Sequence, residues 1–478
     1  MRLLVAALLA SSLAGCVSGY PEASTAFRAS FESGDFAGAA SLAADQAAEA
    51  ADPTATLWLL ELGLARRAAG DVAGSAEALD RAEERLEALD REPEVSLSRE
   101  SLSAFSNPFA LDYRGRNLDR ILASTYLALA RLEQGDVARA RVAINRTLFR
   151  IEDARRLAER RAAIAREEGL AAEAEDAAFR ERLATGRVAE VAAENERSLG
   201  PLPGYAAAVN PAAAWLHGLF FLHTAEGPSD LERARKSLQL AAAVAPGHRA
   251  LGPDLALAEE GRGRPDPGPG RTIVHVLHEN GSAPLWGQES VTLPLLLFER
   301  DTPMVAIALP TVRPVPAAGA ELTVGPGEGP AARTEALASV DAMVAAEFRD
   351  EWRLAATRAL ASATVKALAS HAANRAAREH AQRNSDNTGA QLLYLATLVT
   401  TNLYAGIAQA DTRSWTSLPK EFRVARLETP RGARLTLSGA CLGSPASVSL
   451  PEAKAVLLSV RTLGPGSPPV IRLSILQP

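Results

Sequence analysis

Apolar positions recur at helical spacing through the first half of the chain. Leu57, Leu60, Leu64 and Ala68 share a face before Gly70, as do Ile121, Tyr126, Leu129 and Leu132 before Gly135. Residues three and four apart form the core-facing stripe of an amphipathic helix. Both runs stop at Gly-Asp plus an apolar residue, in AGDVAGSAEAL from Ala69 and QGDVARARVAI from Gln134, and SGDFAGAASLA from Ser33 repeats the signal. A small residue follows four positions after each Asp, as Ala39, Ser75 and Ala140. A fourth segment, GPSDLERARKSLQLAAAVAPG from Gly227, lacks Gly-Asp but keeps Ala234, Leu238, Ala241 and Pro246. Gly34 and Gly70 are 36 residues apart, near the 34-residue period of tetratricopeptide units, in which small residues let paired helices approach. Residues 16–260 are therefore expected to form an all-α, tetratricopeptide-like repeat domain, interrupted by a Pro- and Ser-bearing stretch at 93–108. The Ala-, Glu- and Arg-rich text of 148–200 reads as one or two long solvated helices acting as a spacer. Stacked repeats leave an extended concave face suited to proteins or peptides. Whether this groove is open or filled by the chain itself is not legible.

The pattern changes after GRGRPDPGPG (261–270), where seven of ten residues are Gly or Pro and neither helix nor central strand can continue. Residues 271–478 are expected to form an α+β domain with small antiparallel sheets. Runs at 272–278, 290–298, 305–309 and 322–324 read as strands, with a turn at 279–281. Helices are expected over 335–381, with Val340, Met343, Val344, Phe348 and Trp352 on the apolar face, and over 389–410. The second is about long enough to span a bilayer. It carries Gln391, Asn402 and Gln409 without a basic anchor, so a buried helix is the expectation. Strands at 421–427, 434–437, 456–460 and 470–476 then predict a small antiparallel sheet or sandwich of their own.

The first residues change the setting. MRLLVAALLASSLAGC places Arg2 before an apolar run at 3–10 and small residues before Cys16, the pattern of a secretory signal over 1–15. Leu13-Ala14-Gly15-Cys16 resembles the bacterial lipobox, which implies cleavage before Cys16 and its lipidation. No Asp follows the Cys, which by the same resemblance favours the outer membrane, facing the periplasm, over the inner one. Only Cys441 then remains, so no internal disulfide can form. The net charge of −6 becomes about −7 once Arg2 is removed, and no basic excess favours nucleic acid.

Searches for chemistry find little. No Gly-x-Ser-x-Gly elbow, Gly-Lys-Ser/Thr loop or His-Glu-x-x-His helix occurs. The prolines of GPGEGP (325–330) cannot donate backbone N–H groups to a phosphate. His275 and His278, three apart on a strand, point to opposite faces, so they read as packed or exposed singles. His371 and His380, nine apart, read the same way, and Cys441 reads as a buried structural thiol. No cofactor, metal or catalytic residue is expected. Asp411, Arg413 and Trp415 in ADTRSWTSLP remain. A charge-assisted Asp–Arg pair and an anchoring Trp predict a structural latch at a helix-to-strand joint, with a ligand or partner site as the alternative.

YRGRNLDRIL from Tyr113, YLALARLEQGD from Tyr126, VHVLHENG from Val274 and ADTRSWTSLP from Ala410, together with the lipobox, resemble a family of uncharacterised, tetratricopeptide-repeat-containing lipoproteins of Gram-negative bacteria. The resemblance covers most of the chain and implies a periplasm-facing lipoprotein. Members are often encoded beside small lipoproteins similar to activators of penicillin-binding proteins, which implies a place in envelope or peptidoglycan assembly. It carries over no catalytic residue. The expectation is a lipid-anchored periplasmic scaffold that binds cell-envelope proteins and is not an enzyme. The alternatives are a glycan-hydrolase-like enzyme using C-terminal carboxylates, and a carrier with an apolar cavity beside 391–409.

Overall fold

The computed structural model describes residues 19–49, 52–91, 108–175, 186–200, 210–294, 304–383 apart from 318 and 328, positions 391, 394 and 397, and 409–478. Cys16, nearly all of the 93–108 stretch and most of the expected 389–410 helix lie outside these residues. No helix among the described residues is long and apolar enough to cross a membrane.

The N-terminal half is helical: α1 (Tyr20–Ser33), α2 (Phe36–Ala47), α3 (Ala55–Ala69), α4 (Val72–Arg91), α5 (Asn117–Glu133), α6 (Val137–Glu175), α7 (Gly186–Leu199), α8 (Pro211–His223), α9 (Pro228–Val244) and α10 (Gly252–Glu259). Each Gly-Asp pair ends one helix and starts the next. Gly70 takes φ +98° and sends its N–H back to Arg67 O, a left-handed cap that costs glycine little. Asp71 then accepts from Gly74 N at 2.8 Å, and Asp35 and Asp136 accept from Gly38 N and Arg139 N at 2.9 Å, satisfying N–H groups a helix start leaves orphaned. The small residues Ala39, Ser75, Ala140 and Ala234 are fully buried. At Gly63 of α3 a Cβ would meet Leu79 of α4 at 2.6 Å, so this helix pair depends on a missing side chain. Helices α4 and α9 keep polar outer faces. By contrast α3 from Ala55 to Ala65, α5 from Asn117 to Ala130 and all of α8 are buried throughout. A helix buried all round needs cover on its second side.

The sheets supply that cover. Their strands are β1 (Arg271–Asn280), β2 (Leu285–Pro294), β3 (Met304–Arg313), β4 (Thr323–Pro326), β5 (Ala332–Arg333), β6 (Glu335–Ser339), β7 (Glu421–Pro430), β8 (Arg434–Ser438), β9 (Ala446–Ser449), β10 (Ala455–Thr462) and β11 (Val470–Gln477). Helix α11 (Val340–Arg383) separates β6 from β7. Strands β11-β10-β1-β7-β6 form one sheet, β5-β4-β8-β9 a second, and β2-β3 a hairpin. All pairings are antiparallel except β1 with β10. The period of two along the strands sorts side chains between layers. Ile273, Leu277, Phe422, Val424, Leu457 and Leu476 join the core of the helical half. Val274, Val276, Leu427, Val456 and Leu458 face Leu322, Val324, Leu435 and Leu437 of the second sheet. Helices, five-stranded sheet and four-stranded sheet therefore stack as three layers, and the inner helix faces are filled by the chain's own sheet.

Several expectations change. The strand expected at 272–278 runs on through Glu279 and Asn280, and the turn falls at Gly281 (φ +67°). Residues 335–339, expected as helix, are an edge strand paired to β7 from Glu335↔Val424 to Ser339↔Glu421. The helix starts one residue later, where Ser339 Oγ accepts from Ala342 N at 3.1 Å. The C-terminal strands do not make a sheet of their own. Strands β7 and β10 flank β1, while β8 and β9 extend β4. The strand β9 was not expected from the pattern. The Gly/Pro segment 261–270 is pinned to the helices, with Arg264 N donating to Leu222 O at 2.8 Å.

Candidate functional site

The polar groups that chemistry would need are gathered where helices meet sheet, and ADTRSWTSLP runs through them. Arg413 donates to Asp411 from its backbone N (3.1 Å) and Nε (2.9 Å) to Oδ1, and from Nη2 to Oδ2 (2.8 Å). Its remaining nitrogen, Nη1, donates to Leu111 O at 2.6 Å. The guanidinium lies over the rings of Phe109 and Tyr113 at 5.7 and 5.3 Å, within the range of a cation–π contact. Arg116 Nη2 donates to Arg413 O at 3.1 Å while its own guanidinium stacks 3.4 Å over Trp286. Burial works to raise the Asp411 carboxyl, and the Arg413 guanidinium outweighs it, so Asp411 sits below the usual carboxylate range. It is ionised at neutral pH, with both oxygens spent on one partner, and has no proton to give.

The next residues are held by the first helices of the chain. Tyr20 Oη donates to Ser414 O and accepts from Ser414 N, both at 3.2 Å. Glu61 accepts from Thr416 N (2.6 Å), Thr416 Oγ1 (2.7 Å), Ser417 N (3.1 Å) and Ser417 Oγ. Trp415 is 2% exposed, packs edge-on to Tyr126 at 5.9 Å and donates from Nε1 to Ser417 Oγ at 3.0 Å. From the sheet, Arg461 Nη2 donates to Ser417 O and Leu418 O. The joint expected inside the C-terminal domain is instead a clasp between the two halves of the molecule. Asp411, Arg413 and Trp415 were legible in sequence; Glu61 was missed. Its signal is a single acid inside the apolar run LWLLELGLA.

Burial raises the Glu61 carboxyl to about 7, against the pull of its Ser417 and Thr416 bonds. A group whose folded pKa lies above its unfolded value contributes stability that is fully present below the unfolded pKa. That contribution is lost as pH rises through the folded one. Between pH 4.5 and 7 wild type should therefore lose about 3 kcal/mol relative to Glu61→Gln, at about 1.4 kcal/mol per pKa unit. Denaturant unfolding of both proteins at pH 5 and 8 checks this, and a difference that stays constant with pH would count against it.

A second cluster lies beside the first. Arg67 donates from Nε and Nη2 to Glu133 Oε1 at 3.0 and 2.7 Å, and from Nη1 to Glu279 Oε1 at 2.8 Å. Tyr126 Oη donates to Glu279 Oε2 at 2.8 Å. Burial opposes the Arg67 charge, but the two carboxylates override it and raise its pKa. With Arg461, whose charge burial disfavours, two cations face two anions. The set is neutral and lies between helices and sheet; its geometry is that of a junction.

The other titratable groups are placed as follows. His278 Nε2 meets Thr462 Oγ1 at 2.8 Å toward the second sheet. His275, on the opposite face, meets His223 Nε2 at 2.9 Å and lies beside Asp254. His275 is thus not the isolated side chain that was expected. Among the described residues His223, Asp254 and His275 form a group able to hold a cation. His371 and His380 lie along α11. Cys441 is buried with Sγ 3.8 Å from Glu321 O, and burial raises its thiol, the opposite of an activated nucleophile. Comparison with protein-family models, with curated proteins and with solved structures gives no match.

Proposed function

We propose that the chain is a lipid-anchored scaffold of the Gram-negative envelope, held at the periplasmic face of the outer membrane through Cys16. In this reading its tetratricopeptide-like helices present their outer rather than inner surface to envelope proteins. The observation that carries it is on α6, where Val142 and Phe149 are 57% and 66% exposed. Seven residues apart, they share one face of the helix. Large apolar side chains exposed along one helix face favour a contact there, and the chain's own sheet packs against the inner helix faces.

The carboxylates at the junction support a non-catalytic role. Asp411 is clamped by Arg413, and Glu133 and Glu279 by Arg67. A glycosidase needs two carboxylates flanking a substrate. The cavity between α5, α8 and the β10–β11 pair, lined by Leu129, Leu216, Leu457 and Leu476, measures about 10 Å³, room for about one water and none for an acyl chain. The apolar segment 391–409, on which a carrier would depend, lies almost wholly outside the described residues.

Photo-crosslinking residues placed at positions 142 and 149 should give adducts with envelope proteins in intact cells. Phe149→Asp should abolish those formed from position 142 without moving the unfolding midpoint. Absence of adducts at both positions, with equal recovery of proteins by wild type and Phe149→Asp, would refute this surface.

A further inference from the structure

We propose that His223, Asp254 and His275 form a structural site for a divalent transition-metal ion of the zinc type. His223 is the last residue of α8, Asp254 lies in the first turn of α10 and His275 sits mid-strand in β1. One ligand atom from each lies within 4.8 Å of the others, and the three side chains are 0–1% exposed.

Hydrogen bonding alone leaves this cluster short of partners. One imidazole donates to the other between the Nε2 atoms 2.9 Å apart. His275 Nδ1 and Asp254 Oδ2 then face each other at 3.6 Å, beyond hydrogen-bond length. Neither atom has any other partner, and His223 Nδ1 has none either. When His275 carries its proton on Nε2, a nitrogen lone pair and a carboxylate oxygen point at one another with nothing between them. Two ligands of one zinc ion, each at about 2.0–2.2 Å, stand about 3.3 Å apart. The observed 3.6 Å separation suits an ion better than a proton. His223 Nε2 now faces His275 Nε2 rather than Nδ1, so binding the same ion requires its side chain to move toward the gap between His275 and Asp254.

The surroundings fit such an ion. Arg426 Nε donates to Asp254 Oδ1 at 3.2 Å, fixing the carboxylate as outer-shell partners of metal ligands do, and leaves Oδ2 toward the histidines. Arg426 is itself paired with Glu428 at 3.2 Å. Counting a divalent ion (+2), Arg426 (+1), Asp254 (−1) and Glu428 (−1) gives a net +1. Two imidazoles and a carboxylate select zinc-like ions over calcium or magnesium, which take oxygen ligands. The ion would join two helices of the N-terminal half to the central strand, in a chain whose cysteines offer no internal staple once Cys16 is lipidated.

The full chain, purified in detergent, should carry about one zinc per molecule by mass spectrometry. After unfolding with a chelator, refolding with zinc chloride should raise the melting temperature above that of protein refolded without it, and refolding with cobalt chloride should give a visible d–d absorption band. Asp254→Asn and His275→Gln should lose both responses. His217→Gln, which alters a buried histidine bonded to Ser237, should keep them. Where His275→Gln does not fold, Asp254→Asn decides. Wild type that holds no zinc or cobalt after refolding and melts identically with and without them overturns the site, as does retention of the ion by Asp254→Asn.

Discussion

Arg67→Met is expected to destabilise the protein by about 3–5 kcal/mol, the cost of removing one partner from a buried ion pair. The number follows from what remains. Glu133 and Glu279 would keep their places, 3% exposed at the side chain, with one buried cation, Arg461, for two carboxylates. Arg67 also lies in the last turn of α3, where a positive charge meets the carbonyl end of the helix dipole favourably. Replacing the set by uncharged groups, in Arg67→Met with Glu133→Gln and Glu279→Gln, should recover much of the loss, because buried ion pairs contribute little beyond a neutral alternative. Guanidinium midpoints of the single and triple variants check both statements. A single variant as stable as wild type would mean that water reaches the cluster.

Trp415→Ala should cost a similar 3–5 kcal/mol, as large aromatic truncations in cores do. The side chain is among the largest that are fully buried, and it touches α5 through Tyr126. Its loss opens a cavity at the meeting point of helices and sheet. It also frees Ser417 Oγ from the indole N–H, loosening the donors that hold the buried Glu61 carboxylate. Trp415→Phe keeps most of the packing and gives up one hydrogen bond, worth about 1 kcal/mol, so its loss should be clearly smaller. Equal losses in the two variants would place the effect in the hydrogen bond rather than in packing.

What could be read from sequence were the local rules. Gly-Asp followed by a small residue dictates a cap, a turn and a close helix contact within six residues, and the hairpins appear where it occurs. The continuous apolar strands β1 and β10 were legible because a strand covered on both faces has no polar side to hide. Residues 335–339, Glu-Ala-Leu-Ala-Ser, have helix-forming composition, and only the free edge of β7 draws them into a sheet; pairing overrides propensity. Sheet order was illegible for the same reason, since neighbours of β1 come from positions 421 and 455 onward. The clasp was half legible. Arg413 and Trp415 announce burial and bonding by their chemistry, but nothing local names Tyr20, Glu61 or Leu111 as their partners. The histidine–aspartate group was invisible because its members are 31 and 21 residues apart and no motif has that spacing.

The parallel pairing of β1 with β10 has a consequence for biogenesis. A chain is made from its amino end, so α3, α5 and α8 are delivered with their second faces bare. The strands that cover them near Leu457 and Leu476 arrive last. Contacts so distant in sequence form slowly, and partly covered helices of this kind are the species that aggregate. The closing strands thus act as a completeness check: a chain cut short before residue 455 leaves the helix faces that Leu457 and Leu476 cover bare to chaperones and proteases.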